Sequence, residues 1–389
     1  MSSTTTETNA PDAAANLAPG APLRPERITL VLQGGGALGA YQAGVWQALD
    51  EAGLRPDWVI GTSIGAINAS LITGNKPDQR LDRMREFWRR VERRLLPSLA
   101  ATVPVLGAEI ANFITMAQGV ARFFTPNPLA FAGAHWPLGA EQAGYYRTNP
   151  LKDTLSELVD FDLINAGTCR LTVGAANVRT AKMHYFDSRD ARLDVRHIMA
   201  SGALPPAFPP IRIDNELYWD GGILSNTPVE AVFDDFPRRS GLVFAVHVWN
   251  PDGSEPATIN DVLHRQKDVQ YSSRAHSHIL RQQQIHRLRH VIADLAARLP
   301  PELRARPEIA EMAGYGCQTR MHVVRLLAPA LKGEDHTKDI DFSAAGIKAR
   351  WQAGLADTRA VITRAPWTQP VDPLEGFVLH EAIAGVGET

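Results

Sequence analysis

Twice within the first seventy residues, a short apolar run ends on glycines and opens into a helical pattern. Ile28 to Leu32 (ITLVL) is followed by Gly34-Gly35-Gly36, then by Ala40, Val45, Trp46 and Leu49 at helical spacing as far as about Gly53. Trp58 to Ile60 runs into Gly61-Thr62-Ser63-Ile64-Gly65, and a helix follows from Ala66 to about Ile72. Runs that are apolar at every position suit parallel strands buried on both faces. Strand, tight turn and helix in repetition is the rhythm of an α/β sheet with covering helices.

Further along, Leu171 to Ala175, His184 to Phe186, Leu242 to Trp249 and Met321 to Leu327 read as strands. Tyr218-Trp219-Asp220-Gly221-Gly222 reads as a tight turn. Residues 78–96 read as an amphipathic helix with Leu81, Met84, Phe87, Trp88, Val91 and Leu95 on one face and seven arginines on the other. Asp82, Glu86 and Glu92 are interleaved with those arginines, which favours a solvated, locally paired face over a membrane-binding one. After Pro251 the composition shifts. Residues 258–299 form a long polar helical stretch and Ser343 to Ile362 another helix. The expected division is a tail at 1–26, a catalytic domain at 27–250, and an extension at 251–389 packed on or beside it.

With 389 residues, 44% of them hydrophobic, the chain can bury a large core without disulfides or a structural metal. Cys169 and Cys317 lie far apart, with no metal-ligand spacing, which suits a reducing compartment. The net charge of −2 gives no basic field for nucleic acid. Residues 1–26, rich in Ala, Pro, Thr and Ser, read as disordered and carry no secretory signal. The longest apolar stretch, Leu99 to Phe124, is broken by Pro104, Glu109, Asn112, Gln118 and Arg122, so it falls short of a membrane span. Val103 to Phe124 would serve equally as an acyl-chain wall, a lid or a core helix. The chain is expected to be cytoplasmic, touching a membrane only at its surface. The long polar helix is a place where it could self-associate into a homo-oligomer.

Three motifs carry chemistry. Gln33-Gly34-Gly35-Gly36-Ala37-Leu38-Gly39 leaves backbone N–H groups uncovered ahead of a helix N-terminus, a setting for negative charge. It suits a phosphate cradle, an oxyanion hole or close packing, and it also satisfies the dinucleotide pattern G-x-G-x-x-G. Gly61-Thr62-Ser63-Ile64-Gly65 is G-x-S-x-G between strand and helix, the context of a nucleophile elbow. The turn crowds the positions two before and two after the serine, hence glycine at both. The plain alternative for Ser63 is a helix cap between turn glycines. Asp220-Gly221-Gly222 places a carboxylate on a turn that can approach another backbone; its plain alternative is an ordinary Asp-Gly turn. A serine nucleophile normally works with histidine. Of twelve histidines, His247 reads as a half-buried strand residue, and His264, His276, His278, His286 and His290 as solvent-facing residues of the polar helix. His380 is left open.

Taken together and in this order, QGGGALGAYQAGV, GTSIGAINA and DGGILSNTPV resemble the patatin-like phospholipase family over roughly Ile28 to Trp249. The C-terminal region resembles the extension of a bacterial subgroup of that family. The resemblance implies a three-layer α/β/α sandwich with a mostly parallel central sheet, plus a largely helical extension. It implies a serine acyl-ester hydrolase of phospholipase A or lysophospholipase type, with Ser63 as nucleophile and Asp220 as base without histidine. The amides of Gly34, Gly35, Gly36 and Ala37 would form the oxyanion hole, with Gly61, Gly65, Gly221 and Gly222 in support. Phospholipid or another acyl ester would be the substrate, and no metal or organic cofactor is needed. Leu38 and Gln33 depart from the family pattern, which often has Arg or Lys and Asp there. The missing cation argues against a preference for strongly anionic head groups. The alternatives are a transacylase, a non-catalytic lipid-binding protein on the same fold, and a nucleotide-dependent oxidoreductase. The last expects an acid at the end of the second strand, whereas Asp57 precedes it.

Overall fold

The computed structural model describes residues 27–93, 118–133, 135–331, 334–372 and 374–382. The tail at 1–26 and most of the apolar stretch expected as wall, lid or core, including 97–117, lie outside the described residues.

The two glycine-ended runs are neighbours. Strand β1 (Ile28–Leu32) pairs in parallel with β2 (Trp58–Gly61), Leu30 opposite Val59 and Leu32 opposite Gly61. Between them runs helix α1 (Ala40–Glu51); after β2 come α2 (Ile64–Thr73) and α3 (Arg80–Val91). A two-rung ladder, β3 (Thr125–Pro126) with β4 (Tyr146–Arg147), precedes α4 (Asn149–Leu158) and α5 (Phe161–Asn165). Strands β5 (Arg170–Asn177) and β6 (Met183–Asp187), helix α6 (Val195–Ser201), and strands β7 (Ile211–Ile213) and β8 (Glu216–Asp220) follow. The chain continues through α7 (Glu230–Phe233), β9 (Gly241–His247), α8 (Ile259–Arg298), α9 (Pro301–Arg304), α10 (Pro307–Ala313), β10 (Met321–Leu327), α11 (Ala344–Arg364) and β11 (Phe377–Glu381).

All but β3 and β4 join one nine-stranded sheet in the order β11-β10-β9-β1-β2-β5-β8-β7, with β6 also on β5. From β11 to β5 every pairing is parallel; β6, β7 and β8 pair antiparallel. Strand residues alternate between two cores. Leu30, Leu32, Val59, Phe244 and Val246 face one side, packed with α1, α2, α3 and α11; Val31, Ile60, Val243 and Val323 face the other, with Val232, Phe233 and Ile279 from α7 and α8. The three-layer α/β/α arrangement is therefore present, with a mostly parallel sheet.

Several local expectations change. Tyr218, Trp219 and Asp220 form the end of β8 and not a turn, because their backbone is paired with Asn177, Ala176 and Ala175 of β5 in that order. Helix α3 ends at Val91, not 96: Glu92 turns extended, and the Arg93 amide donates to Phe342 O at 2.8 Å. Its exposed face is paired, Glu86 with Arg89 and Arg90, and Arg90 also with Glu157. His247 is buried, and so are His286 and His290, the inward residues of α8. The region beyond 250 is helical as expected, but β10 and β11 also extend the central sheet past β9. Helix α8 begins on a capping box: Thr258 accepts from the Asp261 amide, and the Asp261 carboxylate accepts from Thr258 N.

Candidate active site

Ser63 and Asp220 are brought together by the edge of one strand. On β5, Ala175 pairs with His184 of β6 and also with Asp220 of β8, so β6 and β8 occupy opposite edges. Thr172 likewise pairs with Asp187 of β6 and with Ile60 of β2. Strands β2 and β8 therefore share an edge of β5 and meet nearly end to end. Gly61 pairs with Val173 and Asp220 with Ala175, two residues further along. Ser63 leaves the end of β2 at this junction.

The turn that presents Ser63 is tight. Ser63 has φ 57° and ψ −125°, a conformation costly for any residue with a Cβ. Its amide is held twice by Ser201, donating to Oγ at 3.0 Å and to the carbonyl at 3.1 Å, while Ser201 Oγ donates to Gly174 O at 2.7 Å. A Cβ on Gly61 would lie 2.3 Å from the carbonyl of Gly65, and one on Gly65 2.2 Å from Leu32 O. The close packing expected of the two elbow glycines is thus seen. Ser63 caps the N-terminus of α2 without a side-chain cap bond, so its hydroxyl is left for another partner.

That partner is Asp220. The buried carboxyl accepts the Gly222 amide at 2.7 Å, and the Ser63 hydroxyl lies close enough to lower its pKa. Burial pushes it up to about 7, against the lowering effect of these two groups, and no cation among the described residues offsets the burial. Gly221 has no room for a side chain, since a Cβ would lie 2.5 Å from Gly174 O.

The glycine loop lies against this pair. A Cβ on Gly34 would lie 3.0 Å from Ser63 Cβ. The Gly34 amide donates to Asn226 O at 3.1 Å, which removes it from the expected set of free donors. The Gly34 carbonyl accepts from Trp249 Nε1 at 2.8 Å and from Asn226 Nδ2 at 3.1 Å. Among the described residues, no such backbone acceptor takes the amides of Gly35, Gly36 or Ala37. Gly36 has φ +54°, and a Cβ there would lie 2.2 Å from Asp339 O. Gln33 locks the loop from behind: its Oε1 accepts the Val248 and Trp249 amides at 2.6 and 3.0 Å, and its Nε2 donates to Thr227 Oγ1 at 2.7 Å. A carboxylate at position 33 could accept the first two bonds but not donate the third.

Ser63 and Asp220 open into a cavity of about 320 Å³. Most of its wall is apolar, with Ile67, Phe123, Phe124, Leu151, Met199 and Phe208 among the lining residues. Residues beyond 250 close another side: Lys267 and Tyr271 of α8, and the Asp339–Phe342 segment, where Lys267 Nζ meets Asp339 Oδ1 at 2.7 Å. Among the described residues, no histidine lines this cavity. His247, which was to be weighed as a base, is buried elsewhere and pushed down to about 3, and His380 stacks on His322 in the β10–β11 ladder. Cys169 is buried, its thiol pushed up to about 12.

Asn226, Trp249, Ser201 and the residues from beyond 250 were not identified as site residues from sequence. Asn226 stood within a quoted motif and was the one with a visible signal. The dinucleotide reading fails on position: the Asp57 carboxylate accepts the Ile28 amide at 2.8 Å, at the start of β1 and so at the far end of the sheet from the glycine loop. Among the described residues, no group of three or more His, Cys, Asp or Glu could hold a metal ion. Likewise, no helix among them is long and apolar enough to cross a membrane.

Comparison with known proteins adds the following. A family model described as patatin-like phospholipase matches residues 30–233, and one described as patatin phospholipase matches residues 269–374. Lysophospholipase nte1 of Aspergillus terreus is 28% identical over 241 residues, which is 61% of this chain and 13% of that protein. Patatin-like phospholipase domain-containing protein 6 of Homo sapiens is 29% identical over 239 residues, 61% of this chain and 14% of that one. The chain thus matches only about an eighth of the length of these relatives. Among solved structures, VipD from Legionella pneumophila aligns over 85% of this chain and 67% of its own, at 17% identity and a TM-score of 0.31.

Proposed function

The chain belongs to the patatin-like phospholipase family, and on that premise we propose that it is a serine acyl-ester hydrolase of phospholipase A or lysophospholipase type, working through Ser63 and Asp220. The observation that carries this reading is the Ser63 hydroxyl beside a buried carboxyl that no cation among the described residues holds ionised. A carboxylate raised to about 7 is a better base for a serine hydroxyl than one at its usual value near 4.

The reaction follows from this arrangement. Asp220 takes the proton of Ser63 as Oγ bonds to the ester carbonyl carbon. The oxyanion is met by the free amides of Gly35, Gly36 and Ala37, held in place by the anchoring of Gly34 to Asn226 and Trp249. One such donor is worth about 2.7–4 kcal/mol in a hydrolase. The C–O bond to the leaving alcohol breaks and Asp220 returns its proton to that oxygen. Water then attacks the acyl-serine by the same steps in reverse roles, releasing the fatty acid. The apolar wall takes the acyl chain. In this reading residues 27–250 carry every reacting group and residues 251–389 close the cavity. A phospholipid substrate brings the chain to a membrane surface.

A fluorophosphonate probe is expected to label Ser63, with labelling and ester hydrolysis both absent from Ser63→Ala. Full hydrolysis by purified Ser63→Ala would overturn the proposal.

A further inference from the structure

Helix α8 is inverted relative to an ordinary surface helix. Its buried positions, among the described side chains, are mostly polar or titratable: Asp268, Ser272, Ile279, His286 and His290. Its exposed positions include Ile259, Val262, Leu263, Val269, Leu280, Leu288 and Leu295. At 3.6 residues per turn these seven fall within a wedge of about 120°, directly opposite the buried five. The exposures are large for aliphatic side chains: 82% at Ile259, 63% at Leu288 and 59% at Leu295. The stripe runs about 54 Å along the helix. Seven large aliphatics in one such line on the outermost face are not the scattered apolar residues of an ordinary surface.

We propose that this stripe is a self-association surface, on which α8 of a second copy lies antiparallel about a two-fold axis near Ser277. The two ends of the stripe are self-complementary under that operation, whereas Leu280 near the middle comes opposite Arg274. Ile259 comes opposite Leu295, Leu263 opposite Val291, Gln266 opposite Leu288, and Gln270 opposite Gln284, so apolar pairs hold both ends and amides face amides towards the middle. Spacings of three and four residues between these positions keep the line on one face, as in helix pairs that pack knobs into holes. Charge selects the antiparallel sense. Residues 252–261 carry Asp252, Glu255 and Asp261 and no base, while residues 298–306 carry Arg298, Arg304 and Arg306 against Glu302 alone. Antiparallel packing brings the acidic end of each copy to the basic end of the other, and opposes the two helix dipoles. Covering the seven side chains in both copies removes on the order of 1,000 Å² of apolar surface, which with the flanking polar groups reaches the size of a standard interface.

Sedimentation velocity on the full chain in the micromolar range tests this. The expected result is a particle of twice the chain mass, which Leu288→Arg with Leu295→Arg converts to a monomer of unchanged helical circular dichroism. Ser277→Cys, placed at the axis, should cross-link to its symmetry mate under mild oxidation, where two Cα atoms within about 7 Å are needed, whereas the unsubstituted chain should not. A monomer at all concentrations overturns the proposal, as does a dimer that survives the double arginine variant. If the monomer instead floats with anionic vesicles and loses this with the same variant, the stripe docks lipid and the proposal fails. It fails too if hydrogen exchange shows the stripe of a monomer covered by residues 94–117 of the same chain.

Discussion

The cavity has two kinds of wall. On the side built from β1, β2 and β8, position is set by the backbone: glycines at 34, 36, 61, 65 and 221 that leave no space for a Cβ, and a serine held at positive φ. On the side built from residues beyond 250, position is set by charged side chains. Lys338 is buried against Asp268 at 2.7 Å and lies 5.3 Å from the centre of the Trp249 ring; Arg350 is buried against Glu334 at 3.0 Å; Lys267 pairs with Asp339. A buried ion pair holds geometry only while both partners remain, since either one alone is a desolvated charge. Backbone packing around a glycine has no such partner to lose. The first wall should therefore fail in chemistry when altered, and the second in stability.

The sharpest separation is expected at Asp220. Asp220→Asn should lower kcat for ester hydrolysis by about 10³-fold or more while leaving the fold intact, the upper range for loss of a general base. It should also raise the melting temperature at pH 8. The Asp220 carboxyl is raised from 3.8 to about 7, so the stability it contributes is fully present below about pH 4 and is lost as pH rises through about 7. The asparagine variant escapes that loss. A variant that melts lower than wild type at pH 8 would break the proposed division between the walls. The same titration predicts that kcat/KM rises with pH up to about 7 and is flat above.

On the other wall, Lys338→Met leaves Asp268 buried and without its lysine. Denaturant unfolding should show a loss of about 3–5 kcal/mol, the usual cost of breaking a buried pair from one side, with kcat of the folded fraction little changed.

Acid should separate the two regions again, in opposite senses. Burial lowers His247 to about 3, His286 to about 4 and His322 to about 4, the last helped by His380 beside it. Stability from these neutral rings is present above about 6.5 and lost as pH falls towards 4, while Asp220 gains over the same range. Hydrogen exchange at pH 5 against pH 7.5 should therefore show β9, β10, β11 and α8 loosening before β2 and α2.

The smallest effect expected is that of Trp249→Phe. It deletes one hydrogen bond to the Gly34 carbonyl, costing about 1 kcal/mol of stability. Because the bond anchors the glycine loop, it should lower kcat several-fold without moving KM, which steady-state kinetics would resolve.

The contrast between the walls also explains what could be read from sequence. Glycines forced by close approach leave a pattern: the runs at 34–36, 61–65 and 220–222 were visible as motifs, and the continuous apolar strands around them gave the sheet. β1 and β10 fall at the residues expected of them. Lys338, Asp268, Lys267 and Asp339 form no local pattern, because what pairs them is a fold that brings residues about seventy apart into contact. The strand β11 was missed for a related reason. Phe377–Glu381 is short, with His and Glu among its residues, and lies at the edge of the sheet, where polar side chains are tolerated. Asp220 reads as a turn residue in the sequence because Asp-Gly-Gly signals a turn one residue before it begins.

Ser63 and Asp220 both take their places from β5, and the residues at the end of α6, Ser201 and Ala203, hold the backbone amide of each. Insertions at 178–182 or at 189–192, ahead of α6, would lengthen loops without altering their separation. The vulnerable step is the seating of β8. A slip of one residue along β5 would carry the carboxylate about 3.3 Å away and turn it to the opposite face of the sheet. Three rungs, Ala175 to Asn177 against Asp220 to Tyr218, stand between the aligned and the misaligned pair.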